Sequence, residues 1–457
     1  VSSSTVFQHQ LVEAGVTHER EIPGLDAFYR AYELFGENIV AMQAARLAVR
    51  AAAGWSVEKV AKAANAAADE LEEMVLPYAR LLIEEHRAAG RRVAIATTTP
   101  EHLVRPLAER LGVHDVIATK WAVSGDHFTG ELDGEFFWGR NKMHAIEAWA
   151  RDERIDLRRS YAYSDSAFDV PMLRSVGHPV AVNPDAQLLA IATLNKWPVR
   201  HLDVPPGVAK VLGRELQDWV RPFNNPVLAP NARFDIDGTD NIPDHGAAIV
   251  VFNHRSYFDT TAMNFTLAKA GRPARFLGKK EVFDAPLVGR FARMFGGIRV
   301  DRGTGSDEPL ERAIRALKAG ELVAMAPQGT IPRGPAVYDH ELKGRRGAAR
   351  LAQASHAPVI PVGIWGTEKV WPRSQRLPTL LPSDPPLIRV RVGPPDKLRQ
   401  RDLDADTRRI MEAIVEQLPA EAHEHHTPTA EDLARTYPPG YEGDPTKEAD
   451  RRPGTDT

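Results

Sequence analysis

Two separate stretches of this chain alternate short apolar, β-rich runs with helix-like segments, and this pattern constrains the fold more than any other feature. RVAIATTT, DVIATKWAV, SYAYSDS and HPVAVN provide the strand-like runs of the first stretch. AAIVVF, GGIRV, ELVAMAP and PVIPVGIWG provide those of the second. Such alternation is typical of a parallel sheet covered by helices. A chain of 457 residues is also too long for one compact core. We therefore predict two α/β domains.

The segments around these stretches set the predicted domain limits. Residues 26–86 show apolar positions at helical spacing without a strand signal, which predicts a helical cap on the first domain. Prolines accumulate between residues 197 and 230. We predict a first domain over 1–200, a linker over 201–232, a second domain over 233–418 and a flexible tail over 419–457, where Pro, Gly and charged residues dominate.

Composition excludes several classes of protein. The chain has no cysteine, so disulfides, thiolate nucleophiles and cysteine metal sites are excluded. A net charge of −3 does not indicate a globally basic nucleic-acid binder, and we predict no nucleic-acid partner. No apolar run approaches the roughly 20 residues that span a bilayer. The chain opens on Val1 with a sequence typical of a domain interior, so we expect it to begin partway through a longer protein.

The clearest candidate for chemistry is the segment NHRSYFD, which places His254 five residues before Asp259 and directly after the apolar run AAIVVF. Ligands bind near the carboxyl ends of strands in α/β sheets. A histidine there can act as a general base, and a carboxylate can hold its tautomer. Five residues on a regular helix would separate the two side chains by about 140°, so the pair requires a non-helical first turn. The alternative is a surface histidine beside an N-capping aspartate.

Three further segments follow this pair in order. They are GGIRVDR, which contains Gly297 and Arg302, APQGTIPRG from Ala326 to Gly334, and APVIPVGIWG, which contains Pro361. With NHRSYFD, and with the segments KGRRGAARLA and LGKKEVF, this order resembles the glycerolipid acyltransferase family, whose bacterial members include 1-acyl-glycerol-3-phosphate acyltransferases. The resemblance covers residues 234–392 and implies a C-terminal α/β glycerolipid-acyltransferase domain.

The resemblance implies a role for each matching residue. His254 would deprotonate the acceptor hydroxyl, and Asp259 would orient it. Arg302 would bind the acceptor phosphate, and the Gly329–Thr330 turn would approach the same phosphate with its amides. The substrate site would also include Gly297, Gln328 and Arg333. Pro361 would shape its wall. The co-substrate would be an acyl thioester, acyl-CoA or acyl-carrier-protein, and acyl transfer would need no metal.

The chain departs from the family at one motif. The family usually has glutamate at the position of Gln328 and arginine at that of Ile331, and the nearest cation here is Arg333. The loss of the carboxylate is tolerable if its role is hydrogen bonding. Because the cation is displaced, the identity of the acceptor stays open. A sterol-like, glycolipid or other lysophospholipid acceptor is not excluded.

The segment between Arg272 and Arg302 has eight Lys or Arg residues against three acidic residues, with apolar residues interleaved. This pattern suits docking on an anionic membrane or holding a CoA diphosphate. The alternative is an ordinary amphipathic helix with a solvated basic face. We predict a cytoplasmic protein, peripheral at the inner face of the plasma membrane.

The first stretch resembles the haloacid-dehalogenase-like superfamily, in the branch that contains phosphoserine phosphatase, through RVAIATTTPEHLV, GRNKMHAIEAW, YAYSDSAFDVPML and HPVAVNPDAQL. The resemblance implies a Rossmann-like domain with a helical cap. Thr97 matches the hydroxyl that holds a phosphoryl oxygen, and Lys142 matches the cation that neutralises it. Asp165 and Asp169 match the acidic pair for Mg²⁺, with Asp165 as the metal ligand.

The family's nucleophile, the first aspartate of a DxD motif, is missing. The first aspartate of this chain is Asp26, which lies within a helical pattern. DIDGT, from Asp235 to Thr239, spells that motif, but a continuous apolar strand does not precede it and it follows the acidic pair. We interpret DIDGT as a decoy and expect no phosphatase turnover from the chain as it stands.

The leading hypothesis is an acyltransferase that makes phosphatidic acid from 1-acyl-glycerol-3-phosphate and an acyl thioester. The first alternative is a Mg²⁺-dependent phosphomonoesterase, active in a full-length form. The second is a membrane-adhering scaffold that has lost activity, against which the intact His254 and Asp259 pair argues.

Overall fold

The computed structural model describes residues 3–16, 42–43, 45–46, 49–206, 208, 210–211, 213–286, 288–300, 307–339, 341–424 and 427–441. The chain forms two compact units, residues 1–206 and 207–457. The prediction of two α/β domains is confirmed. The division between the units, at residues 206 and 207, falls within the predicted linker over 201–232.

The first unit contains seven strands and seven α-helices among its described residues. The strands are β1 (Ala94–Pro100), β2 (Asp115–Thr119), β3 (Trp121–Ser124), β4 (His127–Leu132), β5 (Tyr161–Ser164), β6 (His178–Val182) and β7 (Val199–Arg200). The helices are α1 (Ser3–Glu13), α2 (Val57–Met74), α3 (Pro77–Ala88), α4 (Glu101–Arg110), α5 (Arg140–Asp152), α6 (Val170–Ser175) and α7 (Ala186–Asn195).

Of the seven strands described in the first unit, five pair in parallel, as the alternation predicts. β1 and β2 are parallel, and β5, β6 and β7 form a second parallel sheet in that order. β3 and β4 form an antiparallel hairpin. The predicted helical block is present as α2 and α3, whereas residues 26–41 of that block lie outside the described residues. α1 and α2 share a core with α4 and the hairpin, since Phe7, Val60, Leu103 and Phe128 are buried together.

The second unit contains nine strands and nine α-helices among its described residues. The strands are β8 (Lys210–Val211), β9 (Arg214–Glu215), β10 (Arg233–Asp237), β11 (Ala248–Phe252), β12 (Ala274–Lys279), β13 (Ile298–Val300), β14 (Leu322–Met325), β15 (Val359–Trp365) and β16 (Leu387–Val392). The helices are α8 (Leu216–Val220), α9 (Asp259–Lys269), α10 (Lys280–Asp284), α11 (Val288–Met294), α12 (Glu308–Lys318), α13 (Gly347–Ser355), α14 (Thr367–Val370), α15 (Leu403–Val415) and α16 (Ala430–Arg435).

A seven-stranded sheet organises the second unit, in the order β10–β16–β15–β11–β14–β12–β13. All neighbours are parallel except β15 and β16. Every residue of β11 is buried. Val250 and Phe252 face one hydrophobic cluster, and Ile249 and Val251 face another on the opposite side of the sheet. This two-sided burial explains why β11 is a continuous apolar run.

Part of the predicted linker belongs to the second unit. Glu215 accepts two hydrogen bonds of 2.7 Å from the guanidinium of Arg275, whose side chain is buried, and Arg275 also pairs with Glu321. Asn224 Nδ2 donates to the carbonyl oxygen of Asn264 at 3.0 Å. A buried charge must be paired, so these contacts fix residues 214–224 to the domain that follows.

The prediction of a flexible tail is wrong for residues 427–441. α16 begins with a capping box in which Thr429 and Asp432 each bond the backbone of the other. Leu433 and Tyr437 are buried. Composition did not reveal this packing because only a few apolar residues anchor a largely polar segment. Residues 442–457 lie outside the described residues.

Among the described residues, no helix is both long enough and apolar enough to cross a bilayer.

Candidate active site

The loop after β11 is attached to the neighbouring strand β15 by Asn253. Its Nδ2 donates to the carbonyl oxygen of Ile364 at 2.8 Å, and its Oδ1 accepts from the amide nitrogen of Ile364 at 2.7 Å. Asn253 is buried, so this reciprocal pair replaces water for both polar groups. The residue that follows, His254, therefore starts from a fixed position at the carboxyl end of the sheet.

His254 and Asp259 face each other. His254 Nδ1 lies 2.7 Å from Asp259 Oδ2. Residues 253–258 are non-helical and α9 begins at Asp259, as the five-residue spacing required. Asp259 is fully buried, whereas 20% of the His254 side chain is exposed. A carboxylate only accepts, so Nδ1–H donates to it, and in a neutral imidazole the lone pair is then on Nε2.

Asp259 is held by neutral donors as well as by the imidazole. Its Oδ2 accepts the backbone N–H groups of Arg255 at 2.7 Å and Ser256 at 2.8 Å, and its Oδ1 accepts the hydroxyl of Thr367 at 2.5 Å. These donors lie before α9 or on α14, so Asp259 does not act as an N-cap of its own helix. The alternative of a surface histidine beside an N-capping aspartate is therefore wrong.

Gln328 anchors the backbone of His254. Its Oε1 accepts the His254 amide N–H at 2.6 Å, and its side chain is buried. An amide oxygen satisfies this donor as a carboxylate oxygen would, so the departure from glutamate is compatible with a hydrogen-bonding role. The following turn needs Gly329, whose φ of 72° is strained for other residues.

The cation beside this turn is Lys279, at the end of β12. Its Nζ donates to Thr330 Oγ1 at 3.2 Å. Ile331 is buried, and the guanidinium of Arg333 lies over the rings of Tyr437 and Tyr441, at 5.9 and 6.0 Å. Arg333, the nearest cation in the sequence, therefore does not take the place of the family's arginine beside the turn. One sequence feature could have identified Lys279 as the cation, namely its place in LGKK at the end of a strand. Arg302 lies outside the described residues.

A cavity of about 1670 Å³ opens onto these groups. His254, Lys279, Gly297 and Gly329 line it, together with apolar side chains such as Phe276. Gly297 is required for close packing, because a Cβ there would lie 2.7 Å from the carbonyl oxygen of Ala292.

Pro361 does not line this cavity, so the prediction that it shapes the wall is wrong. It is buried within β15, where its carbonyl oxygen accepts the amide N–H of Gly393 at 2.8 Å. The apolar strand that contains Pro361 already indicated that this residue is buried. The prediction instead followed the family motif, which implies a place in the wall of the site.

The basic segment is only partly available for an anionic partner. Arg272 donates to the carbonyl oxygens of Pro243 and Gly246, and Arg275 is the buried ion-pair residue described above. Burial lowers the pKa of Arg272 from its ordinary value. These two cations stabilise the fold of the second unit, so the charge count of the segment overstates its basic surface.

The first unit brings together three of the residues that its motifs predicted. Lys142 Nζ donates to Asp169 Oδ1 at 2.7 Å, and both side chains are largely buried. Ser164 Oγ donates to the other oxygen of Asp169 at 2.8 Å. Asp165 is adjacent, and burial raises its pKa, with Asp169 adding to the rise. Ser164 was missed, although it ends β5 directly before the acidic pair.

Thr97 lies near the end of β1, a strand that packs against α5. Its Oγ1 accepts the backbone N–H of Thr99 at 3.1 Å, which orders the end of the strand.

Asp165 and Asp169 offer hard carboxylate oxygens of the kind that Mg²⁺ takes. However, both oxygens of Asp169 already accept bonds from Lys142 and Ser164. Within the described part of the chain, no group of three or more acidic or histidine side chains is arranged to hold a metal ion. These residues therefore fit only part of a magnesium site.

Asp235, the first residue of the decoy DIDGT, is engaged elsewhere. It lies in β10 and forms an ion pair with Arg391 of β16, which also donates to the Asp235 carbonyl oxygen at 3.0 Å. The hydrogen bond from the Arg391 guanidinium to the Asp235 carboxylate holds the pKa of Asp235 below its ordinary value. Asp235 also lies in the second unit, in a different domain from Lys142 and Asp169. The geometry agrees with the interpretation of DIDGT as a decoy.

Comparison with known families agrees with both resemblances. The model of the haloacid dehalogenase-like hydrolase family matches residues 2–174, and the acyltransferase model matches residues 233–365.

Individual relatives share parts of the chain. An "inhibition of morphological differentiation protein" of Streptomyces azureus is 37% identical over 209 residues, which are 45% of this chain and 74% of that protein. A phosphoserine phosphatase of Mycobacterium tuberculosis is 39% identical over 132 residues, which are 29% of this chain and 43% of that protein.

Among solved structures, the 1-acyl-sn-glycerophosphate acyltransferase PlsC of Thermotoga maritima is 24% identical, with a TM-score of 0.36 over 44% of this chain and 77% of that one. This structural likeness is weak, whereas the family models match each domain. The chain belongs to the haloacid dehalogenase-like hydrolase family through its first domain, and its second domain is an acyltransferase domain.

Proposed function

We propose that the chain transfers a fatty acyl group from an acyl thioester to the free hydroxyl of 1-acyl-glycerol-3-phosphate, which gives phosphatidic acid. The observation that carries this proposal is the His254–Asp259 pair, 2.7 Å apart, at the edge of a large and mainly apolar cavity. The acyltransferase family match supports the reaction class. The acceptor and the choice between acyl-CoA and acyl-carrier-protein are part of the proposal.

In the proposed reaction, the oxygen of the acceptor hydroxyl attacks the carbonyl carbon of the thioester. His254 Nε2 takes the proton of that hydroxyl at the same time. The carbon–sulfur bond breaks, and the thiolate leaves with the proton that the imidazolium returns. Asp259 stabilises the imidazolium, which forms transiently. A thioester is already activated, so a positioned base is sufficient for this step.

The acceptor phosphate is assigned to Lys279 and the Gly329–Thr330 turn. Lys279 and Gly329 both line the cavity that contains His254, and Lys279 contacts the hydroxyl of Thr330. The guanidinium of Arg333 lies over the rings of Tyr437 and Tyr441 instead. A cation and a glycine turn together suit a phosphate monoester. Lys279→Met should raise the KM for the acceptor about tenfold with little change in the KM for the thioester, the size of one charge-assisted hydrogen bond. The neighbouring Lys280→Met is the control.

The test of the reaction itself is release of free thiol from acyl-CoA or acyl-carrier-protein in the presence of 1-acyl-glycerol-3-phosphate. Loss of the general base in His254→Ala should lower the rate by about 10²- to 10⁴-fold. His245→Ala, which removes an exposed histidine of the same unit, should leave the rate unchanged. Equal rates for parent and His254→Ala would refute the proposal.

The membrane partner is also a proposal, with the surface placed differently from the sequence expectation. Val220, Tyr257, Val282 and Phe291 line the cavity and are between 39% and 56% exposed, so they form an apolar rim at its mouth. A rim that continues into the cavity would let a lipid enter directly from a bilayer. We place the protein at the inner face of the plasma membrane, peripherally attached, with anionic lipids as its partner.

Vesicle pelleting tests this placement. The double variant Val282→Ser with Phe291→Ser should pellet several-fold less with anionic vesicles than the parent, because it removes two apolar contacts with the bilayer. Leu194→Ser, at a residue that is 84% exposed in the first unit, is the matched control. Undiminished pelleting of the double variant would rule out the rim as the docking surface.

A second function is proposed for the first domain in a full-length form, namely Mg²⁺-dependent hydrolysis of a phosphomonoester. The buried Lys142–Asp169–Ser164 cluster and the haloacid dehalogenase-like family match favour it. Phosphate release from a phosphomonoester should depend on added Mg²⁺ and fall on Asp165→Asn. Release that is indifferent to both changes would exclude this second function.

A further inference from the structure

We propose that residues 427–441, here called the C-terminal clasp, position the acceptor subsite, and that Thr436 is the positioning residue through which they act. The inference rests on the proposed function, because it concerns the loop that follows the Gly329–Thr330 turn. Residues 331–338 form this loop, here called the post-turn loop. The clasp and the loop both belong to the second unit.

The central contact is a buried hydrogen bond. Thr436 Oγ1 accepts the backbone N–H of Gly334 at 2.8 Å and donates its own hydrogen to the carbonyl oxygen of Leu433 at 2.7 Å. Gly334 and Thr436 are both buried. A buried amide without an acceptor is costly, so the hydroxyl of Thr436 determines where Gly334 can lie. Gly334 is four residues beyond Thr330.

Two further contacts join the clasp to the post-turn loop. Tyr338 Oη donates to the carbonyl oxygen of Asp432 at 3.2 Å. The guanidinium of Arg333 lies over the rings of Tyr437 and Tyr441. The loop is therefore held at residues 333, 334 and 338, which are its middle and its end. The capping box of α16 gives the clasp local order of its own.

The other side of the post-turn loop contacts two arginines, one of which directly follows His254 in the sequence. The Ile331 carbonyl oxygen accepts from Arg373 Nη1 at 2.7 Å. The Val337 carbonyl oxygen accepts from Arg255 Nη1 at 3.4 Å, and the backbone N–H of Arg255 bonds Asp259. The loop thus lies between the clasp and the residue that follows His254.

The base and the turn depend on the clasp to different degrees. His254 and Asp259 have hydrogen bonds of their own to Gln328 and Thr367. The turn continues directly into the loop that Thr436 holds. Disturbing the clasp should therefore weaken acceptor binding more than it slows the chemical step.

Thr436→Val removes the hydroxyl at nearly constant volume, and Thr436→Ser keeps it. In the thiol-release assay, Thr436→Val should raise the KM for 1-acyl-glycerol-3-phosphate by roughly tenfold, the scale of one unpaired buried amide. It should change kcat and the KM for the thioester by less than about twofold. Thr436→Ser should stay within about twofold of the parent in every constant.

Three kinetic outcomes would overturn the inference. They are an unchanged acceptor KM in Thr436→Val, equal damage in the valine and serine variants, and a parallel rise in the KM values of both substrates. A merely structural role would lower the melting temperature and the active fraction, and would leave the acceptor KM of the remaining folded protein unchanged.

A second measurement separates this inference from the proposed function. Hydrogen-exchange mass spectrometry on peptides covering residues 331–338 should show faster exchange in Thr436→Val than in Thr436→Ser, whether or not the chain transfers acyl groups. If the parent protein releases no thiol but the exchange difference is present, the proposed function fails while the clasp contact stands. If exchange is equal in the two variants, the inference fails even when acyl transfer is observed.

Discussion

Each domain has a buried aspartate a few residues after a strand that pairs in parallel, β11 for Asp259 and β5 for Asp169. The hydrogen-bond partners of the two aspartates differ. In the second domain, Asp259 accepts bonds from two backbone N–H groups, a hydroxyl and the imidazole of His254. In the first domain, Asp169 accepts bonds from the ammonium of Lys142 and the hydroxyl of Ser164. The carboxyl group of Asp259 is therefore directed at an imidazole, whereas that of Asp169 is paired with the ammonium of Lys142.

This difference teaches what each aspartate contributes. A carboxylate that is held by neutral donors can stabilise a positive charge that forms only during a reaction. A carboxylate already paired with a lysine stabilises the resting fold as long as the pair is intact. Removing the charge of Asp259 should therefore affect rate, and removing the partner of Asp169 should affect stability.

The largest expected effect is that of Asp259→Asn on acyl transfer. The new amide can turn its oxygen toward Arg255 and Ser256 and its nitrogen toward the hydroxyl of Thr367, so the fold can accept it. The charge that stabilises the imidazolium is lost, and kcat should fall by about 10²- to 10⁴-fold. Thiol release measures the rate, and the melting temperature serves as the control. If the folded variant has a kcat within a factor of three of the parent, the charge of Asp259 does not contribute to the rate, and the contrast with Asp169 is wrong.

The next effect concerns the first domain. Lys142→Met leaves Asp169 buried and without its cation, and should lower the free energy of unfolding of this domain by about 3–5 kcal/mol. Adding Asp169→Asn removes the uncompensated charge and should recover more than half of that loss. Chemical denaturation measures the difference, and hydrogen exchange in α5 and β5 assigns it to the first domain. Equal stability of the single and double variants would contradict this account of Asp169.

A smaller effect is expected at Thr367, whose hydroxyl donates a hydrogen bond to Oδ1 of Asp259. Thr367→Val removes the donor at nearly constant volume and should lower stability by about 1–3 kcal/mol, because a buried acceptor loses its partner. The rate should fall by roughly tenfold as the carboxylate shifts from the imidazole. Thr367→Ser is the matched control and should keep both properties. If valine and serine behave alike, the hydroxyl does not hold Asp259.

Sequence reasoning predicted the order of the strands along the chain and the pairing of His254 with Asp259. Both follow from local rules, namely the alternation of apolar runs and the need for a non-helical turn after β11. It did not reveal Lys279 beside Thr330, because this contact joins residues 51 apart, one at the end of β12 and the other in the turn after β14.

The roles of Pro361 and Arg333 were misplaced for a related reason. A family motif identifies a residue type, but the neighbours of a side chain are set by packing. Arg333 turns to Tyr437 and Tyr441, in a segment that composition predicted to be flexible.

The smallest effect is expected at Asp235, which tests the decoy motif. Asp235 and Arg391 are partly exposed, so Asp235→Asn should change stability by less than about 1 kcal/mol. Arg391 lowers the pKa of Asp235, so its contribution is present above the unfolded pKa of about 3.9 and is lost as the pH falls through the folded pKa. The unfolding midpoints of parent and variant should therefore differ slightly at neutral pH and converge in acid. Acyl transfer and any phosphate release should be unchanged at neutral pH. A loss of phosphate release in Asp235→Asn would show that DIDGT is a working nucleophile motif, and the two domains would then no longer differ as described.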